Sequence, residues 1–220
     1  MKYTAIIIEP RKHKALPFVI KNVLDNLSEE WGMIIFHGSQ NKNYVDEIIH
    51  DVHSSRILNT VNLHMSNLNN ASYSKLLITP AFYNFIPTET FLIFQTDTMI
   101  LSPHKDVINK FLEYDYVGAP WQNGHVGNGG LSLRKKSKML EIIEKKPYTN
   151  NQEDEYFSLK IPSSIQYHVP SFEMAKRFSV ETVFYDAPFG IHNCWKYLPS
   201  TQVDELIRLY PELRTLIELQ

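Results

Sequence analysis

Three short, uninterrupted apolar runs mark the first half of the chain: Ala5–Ile8, Met33–Phe36 and Phe91–Phe94. Runs of this length, rich in Ile and Phe and without polar alternation, suit strands buried on both faces, as in a parallel sheet covered by helices. Between them the period changes. After Pro17, the residues Ile20, Val23, Leu24 and Leu27 recur at helical spacing, while Lys21, Asn22, Asp25 and Asn26 take the opposite face. Tyr44–His50 predicts a second helix, and Ala71–Phe85 a third that breaks or kinks near Pro80. Strand, helix, strand, helix, strand is the order of an α/β fold with right-handed crossovers. In the second half, helical patterns return at Lys135–Glu144, Glu153–Leu159 and Val203–Leu209. Five of the eight glycines fall between Gly118 and Gly130, where the backbone gains unusual freedom.

Ligands of open α/β sheets sit beyond the carboxyl ends of the strands. The three runs end at Glu9, at His37-Gly38-Ser39 and at Gln95-Thr96-Asp97, so polar residues gather at one predicted sheet edge. Ordinary polar turns would give the same pattern. Asp97 is the sharpest candidate, because it lies between Phe91–Phe94 and the apolar pair Met99-Ile100. A carboxylate there is partly desolvated unless something compensates it. A divalent cation would do so, and Mg²⁺ and Mn²⁺ favour carboxylate and phosphate oxygens. A capping role in a turn is the plainer alternative.

Composition narrows the partners. With 22 Lys+Arg against 24 Asp+Glu, the formal charge is −2, and no basic excess points to nucleic acid. An anionic ligand must then be held locally, by a metal or by a few placed cations. Cys194 is the single cysteine, so no internal disulfide is required. The apolar start at Ala5–Ile8 is too short for a membrane span or a signal-peptide core. These features predict a chain without a membrane segment, in a cytoplasmic setting, with the oligomeric state left open.

Several segments, in order, resemble GT-A-fold glycosyltransferases. Phe94-Gln95-Thr96-Asp97 is similar to the D-x-D motif after a buried strand, with Gln95 replacing the first acid. The resemblance gives Asp97 the metal and sets Gln95 and Thr96 beside the donor. Upstream, Tyr73-Ser74-Lys75-Leu76-Leu77 resembles the Y-x-[RK]-L-L helix, which implies that Lys75 faces the donor nucleotide or its phosphates. Downstream, Tyr116-Val117-Gly118-Ala119-Pro120-Trp121 and Val126-Gly127-Asn128-Gly129-Gly130-Leu131-Ser132-Leu133-Arg134 resemble the glycine-rich lining of the sugar pocket. Asn128 would bond a sugar hydroxyl, Trp121 would stack on a sugar face, and Gly129 and Gly130 would let the backbone approach. Glu153-Asp154-Glu155-Tyr156-Phe157 resembles an E-D-x-x-F segment carrying a general base, Asp154 by position and Glu153 as the alternative. Pro188-Phe189-Gly190-Ile191-His192 resembles the segment with a late metal-binding histidine, His192.

The resemblance implies a GT-A-like α/β fold with a mainly parallel sheet, as one domain over 1–220. Its nucleotide-binding half covers about 1–101, with Glu9 and Gly38 at its strand ends, and a sugar and acceptor half covers about 102–220. It implies Mn²⁺ or Mg²⁺ as cofactor and a nucleotide-diphosphate sugar, UDP-linked by expectation, as donor. The acceptor is a hydroxyl of a glycan, protein or lipid, and one base with one displacement inverts the anomeric centre. Two alternatives stay open. One is a sugar nucleotidyltransferase, although Glu9-Pro10-Arg11-Lys12-His13-Lys14 after the first strand is basic without a glycine. The other is a non-catalytic module that binds nucleotide or glycan. No G-x-G-x-x-G follows the first run, which disfavours a dinucleotide-binding dehydrogenase.

Overall fold

The computed structural model describes residues 1–220. The heart of a central sheet arises from the predicted runs. β1 (Tyr3–Glu9), β2 (Trp31–His37) and β4 (Thr90–Phe94) are nearly or wholly buried along their length. Each run serves two cores at once. Ala5 and Ile7 pack on one side and Ile6 and Ile8 on the other; Leu92 and Phe94 likewise oppose Phe91 and Ile93. This double burial explains why the strands read as continuous rather than alternating. With β3 (Ile57–Asn62), β6 (Tyr116–Val117) and β7 (Leu131–Lys135), they form a six-stranded sheet in the order β3-β2-β1-β4-β7-β6. β1 to β4 run parallel, and β7 pairs antiparallel with both β4 and β6. The mixed, mostly parallel α/β architecture is the one expected.

The helices α1 (Leu16–Asn26), α2 (Lys42–Val52) and α3 (Asn70–Leu77) link the parallel strands. Pro17 stands in the first turn of α1, where a missing N–H costs nothing. α3 opens with a capping box formed by Asn69 and Ser72, and the break near Pro80 becomes a 3₁₀ turn over Pro80–Phe85. Four helices follow at or near the expected positions or between them: α4 (Lys136–Lys145), α5 (Glu153–Ser158), α6 (Phe172–Ala175) and α7 (Ser200–Leu209). α8 (Glu212–Glu218) completes the chain.

A small second sheet, which no periodicity announces, joins the end of the first half to the second. β5 (Thr98–Ile100), β8 (Ser179–Val180) and β9 (Gly190–His192) pair in the order β5-β9-β8. Strands of two or three residues cannot show a period. They nevertheless matter most for the site, because β5 directly follows the end of β4.

Candidate active site

A cavity of about 410 Å³ opens beyond the carboxyl ends of β1 and β4, where open α/β sheets place their ligands. Glu9 and Arg11 line it from β1, and Gln95, Thr96 and Asp97 from β4. Asn128, Gly129, Gly130, Glu153 and Asp154 close another side, and Glu181, His192, Asn193 and Lys196 complete it.

The pairing of β5 with β9 sets the first chemical feature. Thr98 stands opposite His192, and the Asn193 N–H donates to the Asp97 carbonyl at 3.0 Å. Side chains 95 residues apart in sequence therefore meet: His192 Nε2 lies 3.3 Å from Asp97 Oδ1. On the other side of the ring, Nδ1 lies 3.3 Å from Glu181 Oε1. Neither Asp97 Oδ1 nor His192 Nδ1 has a hydrogen-bond partner, although both are buried. Burial opposes a charged imidazole, but the carboxylates of Asp97 and Glu181 outweigh it and push His192 up to about 9. Burial likewise opposes the Asp97 charge, yet His192 and, more weakly, Lys196 hold that carboxyl below its ordinary range.

This donor set fits a divalent cation. A divalent ion would displace the proton from His192 Nε2, and the unpaired Asp97 oxygen and the freed imidazole nitrogen are then ligands of the kind Mn²⁺ accepts. A carboxylate behind the far ring nitrogen is the usual support of a metal-binding histidine, and Glu181 occupies that place. No group of three or more His, Cys, Asp or Glu side chains is gathered for a metal. Asp97 and His192 would therefore be the protein's two ligands, with phosphate and water filling the other positions.

The second feature is a buried charge pair beneath the glycine segment. Arg134 is fully buried and donates to both Glu153 oxygens, at 2.6 and 3.0 Å. Its Nε donates to Ser132 Oγ at 2.9 Å, and its guanidinium stacks over Tyr116 and Phe157. Glu153 is thus engaged by an arginine. Its neighbour Asp154 is not: Oδ1 accepts the Glu155 N–H at 2.8 Å, and Oδ2 accepts the Gly129 N–H at 3.3 Å. Burial first, and then the Glu153 charge, push Asp154 up to about 6. A carboxylate titrating there, with no cation of its own, has the properties of a general base.

Gly129 and Gly130 permit this convergence. A Cβ on Gly129 would strike the Glu153 carboxylate, and one on Gly130 would overlap the His192 ring. Asn128 sits between the two features. Its Nδ2 donates to Glu181 Oε1 at 2.8 Å and its Oδ1 accepts the Gly130 N–H at 3.1 Å.

Of the residues singled out in the sequence, Glu9, Gln95, Thr96, Asp97, Asn128, Gly129, Gly130, Glu153, Asp154 and His192 line the cavity. Three do not. Lys75 is exposed on α3, because the helix turns Tyr73 and Ser74 inward instead. Gly38 packs between loops, where a Cβ would strike the Pro10 and Met65 carbonyls, and its N–H donates to Asn41 Oδ1 at 2.8 Å. Trp121 lines a separate cavity. Glu9, though in place, is clamped by Arg11 at 2.7 and 2.8 Å. Sequence reasoning missed Glu181, which follows a two-residue strand, and the role of Arg134, which stands out only as the end of the glycine-rich segment and carries no periodic signal of burial.

The family described as "Protein of unknown function (DUF5672)" matches residues 58–192. The chain belongs to DUF5672. The matched span of this DUF5672 chain begins in β3 and ends at His192, so it contains Asp97, Asn128 to Gly130, Arg134, Glu153, Asp154 and Glu181. No curated protein matches the sequence. Among solved structures, the glycosyltransferase GlyE of Streptococcus pneumoniae TIGR4 is 10% identical, with a TM-score of 0.60 over 99% of this chain and 62% of its own. The mannosyltransferase PcManGT of Pyrobaculum calidifontis, in complex with GDP-Man and Mn²⁺, is 11% identical, with a TM-score of 0.56 over 77% of this chain and 54% of its own. HddC of Yersinia pseudotuberculosis, complexed with GMP-PN, is 13% identical, with a TM-score of 0.50 over 94% of this chain and 99% of its own. The DUF5672 chain thus spans less than two thirds of either glycosyltransferase. It shares their fold, a fold also found in HddC. No helix is long and apolar enough to cross a membrane.

Proposed function

We propose that this chain is a metal-dependent glycosyltransferase that moves a sugar from a nucleotide-diphosphate donor to an acceptor hydroxyl, with inversion. The observation that carries the reading is the placement of Asp97 and His192 at 3.3 Å, with Glu181 behind the ring, in one cavity with a cation-free Asp154. Asp97 and His192 would hold Mn²⁺ or Mg²⁺ against the donor diphosphate. Bound there, the ion supplies Lewis-acid stabilisation of charge developing on the leaving group.

The chain's own residues supply the remainder. Glu181 faces His192 Nδ1 at 3.3 Å as a charge partner, and Asn128 ties Glu181 to the Gly129-Gly130 backbone. Lys196, exposed on the cavity wall, adds a positive charge near the diphosphate. Asp154 takes the proton from the acceptor hydroxyl as its oxygen attacks the anomeric carbon, and the electron pair of the breaking bond leaves with the diphosphate. Glu153 is unsuited to that role, since Arg134 already binds both its oxygens. Base assistance of this type contributes ~10²–10⁴-fold. A single displacement from the face opposite the leaving group inverts the centre.

The test is a thermal-shift screen of UDP- and GDP-sugars with and without Mn²⁺, followed by turnover assays. A donor that binds the native state raises its melting temperature by mass action. Asp97→Ala should abolish the Mn²⁺-dependent part of that shift. Asp154→Ala should keep the shift and lose turnover. Retention of the metal-dependent shift in Asp97→Ala would falsify the metal assignment. Release of pyrophosphate from a nucleoside triphosphate and a sugar phosphate would instead identify a nucleotidyltransferase. Binding without transfer or donor hydrolysis would identify a non-catalytic module.

A further inference from the structure

A second cavity, of about 470 Å³, adjoins the first. Trp121, Gln122, Asn123, Glu155, Thr182 and Tyr197 line it. Three stretches of chain cross from one cavity to the other within a single residue. Asp154 faces the first cavity and Glu155 the second; Glu181 faces the first and Thr182 the second; Tyr197 borders both. The boundary between the cavities therefore runs along Asp154, the side chain assigned to remove a proton.

The wall contributed by Trp121 is built rather than loose. The Trp121 N–H donates to the His125 carbonyl at 2.8 Å, and the Gly124 N–H closes the turn onto the Trp121 carbonyl at 3.0 Å. Gln122 Nε2 donates to the Thr182 carbonyl at 3.2 Å, and Thr182 Oγ1 donates to the Pro120 carbonyl at 3.2 Å. These two bonds pin the turn against the segment that carries Glu181. Trp121 is half-buried, whereas Tyr197 leaves 52% of its surface exposed, and both border the cavity.

We propose that this second cavity is the acceptor subsite and that the acceptor is a carbohydrate. The inference rests on the reading of Asp154 as the base. The lining chemistry selects the class. Two aromatic rings offer negative faces to the C–H groups of a sugar ring. The Gln122 and Asn123 amides and the Glu155 carboxylate offer partners to hydroxyls around its rim. A lipid chain would need an aliphatic lining, and Leu159 is the one aliphatic residue here. The volume falls within the ~300–1,000 Å³ usual for small-molecule sites. In the transfer step, the glycoside hydroxyl oxygen bonds to the donor's anomeric carbon, the bond from that carbon to the diphosphate oxygen breaks, and the hydroxyl proton passes to Asp154.

The experiment measures binding of methyl glycosides of the common hexoses and N-acetylhexosamines by saturation-transfer NMR, without donor. Wild type, Trp121→Ala and Tyr197→Ala are compared, the second variant being at an exposed position that folding tolerates. At least one glycoside should bind wild type, and each substitution should weaken it tenfold or more. Absence of binding by any glycoside overturns the proposal, as does glycoside binding that neither substitution weakens. So does a preference for octyl micelles or peptides over glycosides. The donor thermal shift on wild type, run alongside, reports separately on the donor reading. Its failure with Trp121-dependent glycoside binding intact removes the transferase but leaves the carbohydrate site standing.

Discussion

Replacing Asp154 by Asn should make the protein more stable while removing its turnover. In the folded chain, burial and the Glu153 charge raise Asp154 from 3.8 to about 6. The charged form therefore costs native stability. Every tenfold gain in proton affinity on folding corresponds to about 1.4 kcal/mol, so the penalty at neutral pH is about 3 kcal/mol, less whatever its partial exposure to the cavity screens. Asn keeps an oxygen for the Glu155 N–H but presents an amide nitrogen to the Gly129 N–H, losing a bond worth about 1 kcal/mol. The net gain is about 1–2 kcal/mol, or roughly 3–6 °C in melting temperature for a chain of 220 residues. The sign with pH is definite. A carboxyl whose folded pKa is raised binds protons more tightly when folded, so the wild type loses stability as pH climbs from 3.8 to about 6. The advantage of Asn should be full at pH 7.5 and smaller by about 2 kcal/mol at pH 4.5, where most native Asp154 is protonated. Melting curves of both proteins at the two pH values provide the assay. An Asn variant no more stable than wild type at pH 7.5, or an advantage that does not shrink on acidification, would refute the argument.

Three further outcomes follow from the same geometry. Arg134→Met leaves the buried Glu153 without its cation and should destabilise the chain by about 3–5 kcal/mol in urea titrations, with Arg134→Met/Glu153→Gln recovering part of the loss. Gly130→Ala drives a methyl into the His192 ring, at a cost of about 1–3 kcal/mol for overpacking; its Mn²⁺-dependent thermal shift should vanish while melting stays cooperative. Finally, kcat/KM should fall tenfold per pH unit below about 6, as Asp154 becomes protonated and unable to accept the hydroxyl proton; a flat profile down to pH 5 would assign the base elsewhere.

The parts of this fold legible in the sequence are those with strong, one-sided physics. β1, β2 and β4 announce themselves because both faces are buried. β3 does not, since as an edge strand with one fully buried position it mixes Asn and Thr with Ile, Leu and Val. In the site, the strand-end rule located Glu9 and Asp97 without further knowledge. His192 and Asp154 were reached through resemblance, because nothing in local periodicity reveals a three-residue ladder or distinguishes one acid of α5 from the next. Lys75 and Ser74 show the limit in miniature. A rotation of about 100° per residue on a helix decides which enters the cavity, and a motif read without its helix phase selects the wrong one. Arg134 carries no sequence sign of its burial, since a charged side chain ordinarily meets solvent, whereas here Glu153, Tyr116 and Phe157 take the place of water.

The ladder between Thr98–Ile100 and Gly190–His192 has an evolutionary implication. Because three cross-strand partners align both ends of the polypeptide path, exposed loops between them can lengthen, shorten or be exchanged without disturbing Asp97 and His192, provided that Gly130 and Glu181, which pack on the imidazole, keep their places. The ladder itself has no such freedom. Side chains alternate across a strand, so a one-residue slip would present Ile191 or Asn193 where the imidazole belongs. Descendants of this architecture can therefore diversify what they recognise by editing insertions, while mutations that alter spacing within Phe189–Asn193 are closed to them.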